Sequence, residues 1–140
     1  MAYSGKYTPT NPKKYLGDPT GIIFRSLWER RVFVYLDNNP NIIGWSSEEI
    51  VIPYVSPADN RIHRYFPDVF VKTNNKTMVV EIKPHSQSIE PKKKTKITKS
   101  YINEVVTYGI NQAKWKSAKE YCLDRGWEFV VITEKELFGK

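Results

Sequence analysis

Two runs rich in β-branched and aromatic residues, Arg64-Tyr65-Phe66-Pro67-Asp68-Val69-Phe70-Val71 and Met78-Val79-Val80-Glu81-Ile82-Lys83-Pro84, flank the turn-forming stretch Thr73-Asn74-Asn75-Lys76. Such runs with turn residues between them read as a β-hairpin. This hairpin constrains the fold more than any other stretch, because its strands look like core yet carry charge. Residues two apart on a strand share a face, so Glu81 and Lys83 point one way while Val80 and Ile82 point the other. Pairing within the hairpin brings Asp68 onto the face of Glu81. Two carboxylates and an ammonium group then converge.

Charge inside a core strand is costly unless it is paired or ligates a metal. Two readings follow. One is an ion pair of Lys83 with Glu81 or Asp68 at a strand edge. The other is a divalent-metal site, since two carboxylate oxygens, a backbone carbonyl between them and several waters suit Mg²⁺, which keeps much of its hydration. A lysine beside such an ion would position a water or help to deprotonate it.

The 140 residues suffice for one domain with a real core but not for two. No apolar run approaches the roughly 20 residues that span a bilayer. The opening Met1-Ala2-Tyr3-Ser4-Gly5-Lys6 lacks the apolar centre of a signal peptide, so the protein is expected to stay in the cytoplasm where it is made, not secreted. A single cysteine, Cys122, rules out an internal disulfide and a cysteine-based zinc site, and its apolar helical neighbours predict a buried thiol. His63 and His85 are two lone histidines, too few for zinc. A net charge of +7 points to a polyanionic partner, DNA or RNA rather than an acidic protein.

Along the chain, residues 1–20 hold Gly, Pro and Lys with Tyr3, Tyr7 and Tyr15 interspersed and no periodicity, which reads as a basic, irregular arm ahead of a domain over residues 21–140. The tyrosines either pack on that domain or touch phosphate or a protein partner. Helical periodicity runs from Ile22 to Asp37 and stops at Asn38-Asn39-Pro40. Within it Glu29 has Ser26, Val32, Phe33 and Leu36 as helical neighbours, which puts its carboxylate on or beside the buried face. An Arg25–Glu29 pair on the helix surface would explain it at a few tenths of a kcal/mol. A partner in the interior explains it better.

Glu49 to Tyr54 reads as a strand and Pro57-Ala58-Asp59-Asn60 as a turn. Beyond the hairpin, Pro84 ends its strand and Pro91 opens a positive loop with Lys92, Lys93, Lys94, Lys96 and Lys99. That loop is either a solvated surface or, so close downstream of the carboxylates, a contact to the phosphate backbone. Lys92, Lys93, Lys94, Lys96 and Lys99, with Arg25 and Arg64, are the expected nucleic-acid contacts. Ser100 caps a long helix to about Arg125, with an apolar stripe of Ile102, Val105, Val106, Ile110, Ala113 and Ala118 and a bend at Gly109; Gly126 ends it. Trp127 to Thr133 forms a last, buried strand, and Glu134 to Phe138 a closing turn. The order αβββαβ defines an α/β fold whose last strand, reached by a helical crossover, runs parallel to its neighbour.

Pro67-Asp68 and Glu81-Ile82-Lys83 on the second and third strands of that order resemble the PD-(D/E)XK nuclease superfamily. The resemblance implies its restriction-endonuclease-like core, a central mixed four-stranded sheet flanked by helices. Arg25-Ser26-Leu27-Trp28-Glu29, Gln112 to Ala118 and Trp127 to Glu134 are similar to the TnsA-like, transposase-associated branch. Nearly end to end, through Met1 to Lys6, Gly17-Asp18-Pro19, Arg64-Tyr65-Phe66, Glu81 to Pro84 and Lys114-Trp115-Lys116, the chain resembles the head completion nucleases of T-even-type tailed phages.

The resemblance implies a Mg²⁺- or Mn²⁺-dependent endonuclease acting on double-stranded DNA. Asp68 and Glu81 would hold the metal, Glu29 a second ion or its water, and Lys83 would orient the attacking water. It further implies a place in the virion and host cytoplasm late in assembly, trimming DNA of the filled head before tail joining, with head, portal or neck proteins as partners. A homodimer is a further expectation, since so small a chain needs a second copy to cut both strands. Two alternatives remain: a structural head-completion protein with a vestigial site, and a transposase-type nuclease subunit.

Overall fold

The computed structural model describes residues 4–138. In chain order the elements are β1 (Gly5–Lys6), a 3-10 turn (Pro12–Lys14), β2 (Ile23–Phe24), α1 (Leu27–Asn38), β3 (Ile42–Ser47), β4 (Ile52–Val55), β5 (Ile62–Tyr65), β6 (Val69–Thr73), β7 (Thr77–Ile82), α2 (His85–Ser88), α3 (Lys99–Arg125), β8 (Glu128–Ile132) and α4 (Glu134–Phe138). The main sheet has the order β3-β6-β7-β8. β6 runs antiparallel to β3 and to β7, while β7 and β8 are parallel and joined by the α3 crossover. The sheet is mixed and α/β, with the order αβββαβ.

Strand alternation divides the core between the two faces of the sheet. Val69, Val71, Val80 and Ile82 pack with Phe33, Leu36 and Trp45 on the α1 side. Phe129 and Val131 pack on the other side with Trp115 and Ala118 of α3 and with Ile52, Tyr54 and Tyr65. Glu81, between Val80 and Ile82, therefore faces α3.

The first strand of the sheet is β3, not the 49–54 segment that periodicity selects. A register shift at Ile43 throws that side chain outward, and Gly44 breaks the apolar run. A Cβ at Gly44 would lie 2.9 Å from Leu16 Cδ1, so the Leu16 side chain would have to shift to admit one. Ile52 and Tyr54 do alternate inward, but β4 pairs only with β5, in a separate two-stranded sheet lying on α3. The 64–71 run is likewise two elements. Pro67 has no N–H for a ladder, so the chain leaves β5 at Tyr65 and joins the main sheet at Val69.

Helix boundaries shift too. α1 starts at Leu27 because the Ser26 hydroxyl accepts from the Glu29 amide, and Ile23-Phe24 instead pair with Gly5-Lys6. α3 is capped by Thr98, whose hydroxyl accepts from the Tyr101 amide, rather than by Ser100, and it continues through Gly109. Gly126, at φ 72°, closes it in the left-handed region. Only Asn111, Trp115, Ala118 and Cys122 of α3 are fully buried; Ile102, Val105 and Val106 of the expected stripe are exposed. The cluster with Ile52, Tyr54 and Tyr65 engages the helix from Ile110 onward, through Ala113, Trp115, Ala118 and Tyr121. The Cys122 thiol is buried.

The N-terminal segment packs on the domain. Tyr7 and Tyr15 are buried, each edge-on to Trp45; Tyr3 lies outside the described residues. Asp37, fully buried near the end of α1, accepts from the Tyr7 hydroxyl at 2.6 Å and from the Thr10 and Asn11 amides at 2.7 and 2.9 Å. Lys14 donates to the carbonyls of Leu36, Asp37 and Asn39, closing the negative end of the helix. Burial pushes the Asp37 carboxyl up, but these donors outweigh it and hold the group below the ordinary carboxylate range.

Asp37→Ala, which strands three donors, should lower stability by about 3 kcal/mol in urea unfolding at pH 7. Because the folded-state pKa is depressed, this contribution is present above the unfolded value and is lost as pH falls through the folded one. The gap between wild type and variant should therefore close in strong acid.

Candidate active site

The β6–β7 register pairs Val69 with Val80. Continued by one residue it sets Asp68 across from Glu81, on one face of the sheet. Asp68 Oδ2 accepts from the Ile82 amide at 2.7 Å, pinning the carboxylate to the end of β7. Its carbonyl accepts from the Glu48 amide, which ties it to the exit of β3. Glu81 is 6% exposed, and its Oε1 accepts from the Tyr65 hydroxyl at 2.6 Å. Its other oxygen lies 3.4 Å from the Lys83 ammonium. The Lys83 amide donates to the Ile132 carbonyl at 2.9 Å, so the end of β8 fixes the residue that carries this cation.

Glu29 enters from the first turn of α1. Its amide donates to Ser26 Oγ and its Oε1 accepts from the Arg25 amide at 3.2 Å, a capping box displaced by one residue. The Arg25 guanidinium does not pair with Glu29; it binds the carboxylate of Glu48, a non-glycine residue in the left-handed region at φ 56°.

Burial pushes the Asp68 carboxyl up to about 8; the charges of Glu81 and Glu29 add to this, and the Ile82 amide and Lys83 oppose it. Glu29 is also raised, by burial first, with the Arg25 amide opposing and Glu48 and Glu81 adding. Glu29, Asp68, Glu81 and Lys83 thus lie within electrostatic reach of one another. Among the described residues, no group of three or more His, Cys, Asp or Glu side chains already encloses a metal position. The site offers a buried carboxylate, Glu81, and a half-buried one, Asp68, on one face, with the Lys83 ammonium 3.4 Å from Glu81.

The other expected contacts are not drawn into this cluster. Lys92, Lys93, Lys94, Lys96 and Lys99 are exposed, and Lys94 pairs with Glu104 at 3.8 Å. Arg64 is exposed on β5, its guanidinium over the ring of Phe66. His63 pairs with Asp59 at 2.8 Å, and the His85 amide donates to Glu134, so the histidines serve separate surface contacts. Three residues that periodicity did not select do reach the site: Tyr65, Glu48 and Lys114. Tyr65 stands only three residues before Asp68, but read as part of one continuous strand it gives no hint of turning its hydroxyl to Glu81.

Asp68 thus enters β6, and Glu81 and Lys83 stand at the end of β7, in a mixed sheet. The model of the TnsA-like endonuclease N-terminal family matches residues 39–134, and the chain belongs to this family of PD-(D/E)XK nucleases. Over 98% of its length the chain is 42% identical to the head completion nuclease of Enterobacteria phage T4, covering 95% of that protein. No solved structure matches the chain. Glu29 lies outside the span of the family model but within reach of the phage relative.

Since the folded-state pKa of Asp68 is raised, its contribution to stability is complete below the unfolded value and is lost as pH climbs through about 8. Thermal melts in chelator should show the wild type losing stability between about pH 4 and pH 8 and levelling off above that. Asp68→Asn should flatten that decline, and an unchanged slope would contradict the assignment.

Proposed function

We propose that the chain is a metal-dependent endodeoxyribonuclease of phage head completion that hydrolyses phosphodiester bonds in double-stranded DNA, with Mg²⁺ or Mn²⁺ bound by Asp68 and Glu81. The observation that carries this reading is the pair itself. A half-buried carboxylate, Asp68, and a buried one, Glu81, share one sheet face and are pinned by the Ile82 amide and the Tyr65 hydroxyl, with Lys83 3.4 Å from Glu81. Their repulsion and burial leave Asp68 short of positive charge. A divalent ion supplies it, and Mg²⁺ needs only one or two carboxylates because it keeps several waters.

Such an ion, when bound, makes a water more acidic and offsets charge developing on the phosphate. The chain's own groups do the rest. The Ile82 amide and Tyr65 hydroxyl hold the carboxylates in orientation, which preserves the geometry between turnovers. Lys83 donates hydrogen bonds that orient the attacking water; proton abstraction by an ammonium group would be a poor use of it. Glu29, on the N-terminal turn of α1, binds a second ion or its water. The net charge of +7 draws the polyanion in.

The relative's name supports a role in head completion; the step we propose is trimming the DNA of a filled head before the tail joins, in the virion and the host cytoplasm, against head, portal or neck proteins. A second copy of the chain would allow both strands to be cut.

Purified protein should cleave supercoiled and linear DNA with Mg²⁺ or Mn²⁺ and stop on chelation. Asp68→Ala should cut on the order of a hundredfold more slowly or not at all, and Tyr65→Phe about 10- to 100-fold more slowly through misorientation of Glu81. DNA binding without cleavage in any metal would favour the structural head-completion reading.

A further inference from the structure

α3 crosses the sheet face that carries Glu81, and from it Lys114 reaches the acidic end of the sheet. Its ammonium lies 5.8 Å from the ring centre of Tyr54 and 5.6 Å from that of Tyr65. Tyr65 is the residue whose hydroxyl holds Glu81. Lys114 is half-buried, and burial and the nearby charge of Lys83 favour its neutral form, while Glu81 and Asp68 favour the charged one. That set of influences puts Lys114 in the same cluster as Asp68, Glu81 and Lys83.

Among the described residues, Lys114 has neither a carboxylate within ion-pair distance nor a hydrogen-bond acceptor. Lys83, by contrast, has Glu81 at 3.4 Å. An ammonium group carries three donors, and two aromatic faces attract the charge without accepting those hydrogen bonds fully. Two ammonium groups brought together away from bulk water repel each other. The carboxylates relieve this only while they are free; once they ligate a cation, the two lysines face an excess of positive charge. The missing group is an anion with several oxygen acceptors, at the point where α3 overlooks the end of β7.

We infer that Lys114 is a substrate-contacting residue that donates to a non-bridging oxygen of a DNA backbone phosphodiester beside the acidic pair. Tyr54 and Tyr65 hold its stem and ammonium in place, so little side-chain freedom is lost when the phosphate arrives. This inference rests on the nuclease reading above for its substrate. The competing role is packing alone, with the lysine stem covering the tyrosines of the β4–β5 hairpin. Lys114→Met retains that packing and removes only the charge; Lys114→Arg retains both.

The test measures equilibrium binding of a short DNA duplex by fluorescence anisotropy across a salt series, with Ca²⁺ present, alongside Mg²⁺-driven cleavage and thermal melts. Lys114→Met should weaken binding several-fold and reduce the slope of log affinity against log salt by about 0.9, the value for one phosphate. It should also slow cleavage at least tenfold without lowering the melting temperature, and Lys114→Arg should restore most of the slope. An unchanged slope in a wild type that cleaves overturns the role of Lys114 and leaves the nuclease intact. A wild type that binds but never cleaves defeats the nuclease reading, while the slope difference still decides the phosphate contact. An unaltered slope in Lys114→Met, with a melting temperature lowered only in Lys114→Ala, assigns Lys114 to packing.

Discussion

The hydrogen bond from the Ile82 amide to Asp68 is the interaction on which the arrangement depends. It joins the chain entering β6 to the end of β7 at a point where the ladder itself has stopped. Pro67, fully buried, cannot donate to a ladder and so frees the backbone to turn from the β4–β5 hairpin into the main sheet. The carboxylate takes up the amide that β7 would otherwise leave unpaired. An acidic group is thus held against another acidic group by a backbone donor. A local need of the sheet maintains a repulsion that the sheet alone would not choose. Strain of this kind is characteristic of sites built to receive a charge.

Much of this was legible because it depends on neighbours in sequence. Alternation placed Glu81 and Lys83 together, a turn of four residues set Asp68 beside them, and Gly126 marked the end of a helix that makes the last strand parallel. What escaped depends on distant neighbours. β3 is buried by Tyr7, Tyr15 and Phe33 from other elements, so Ile-Ile-Gly-Trp-Ser-Ser shows no period of its own. The arm's tyrosines look irregular because their spacing answers to Trp45 and Asp37, not to a helix or strand. Lys114 sits beside the core residue Trp115 and looks like a flank of the helix until α3 is laid over the sheet.

The same distinction separates the two groups of basic residues. The lysines of the 92–99 loop are conspicuous in sequence because they are consecutive, and the structure leaves them exposed. Lys83 and Lys114 are unremarkable in sequence but partly removed from water, the first beside Glu81 and the second over the rings of Tyr54 and Tyr65. Charge in solvent is screened over a Debye length of about 8 Å, whereas a half-buried ammonium is screened far less.

α1 acts as a gauge rod. One end is knotted to residues 7–14 through Asp37 and Lys14, and the other presents Glu29 to the acidic pair. Twelve residues of helix fix the span at about 18 Å. The position of Glu29 is therefore calibrated from the far end of the helix, by a stretch of chain that never approaches the carboxylates. Loosening the knot would mis-set the instrument without touching its scale.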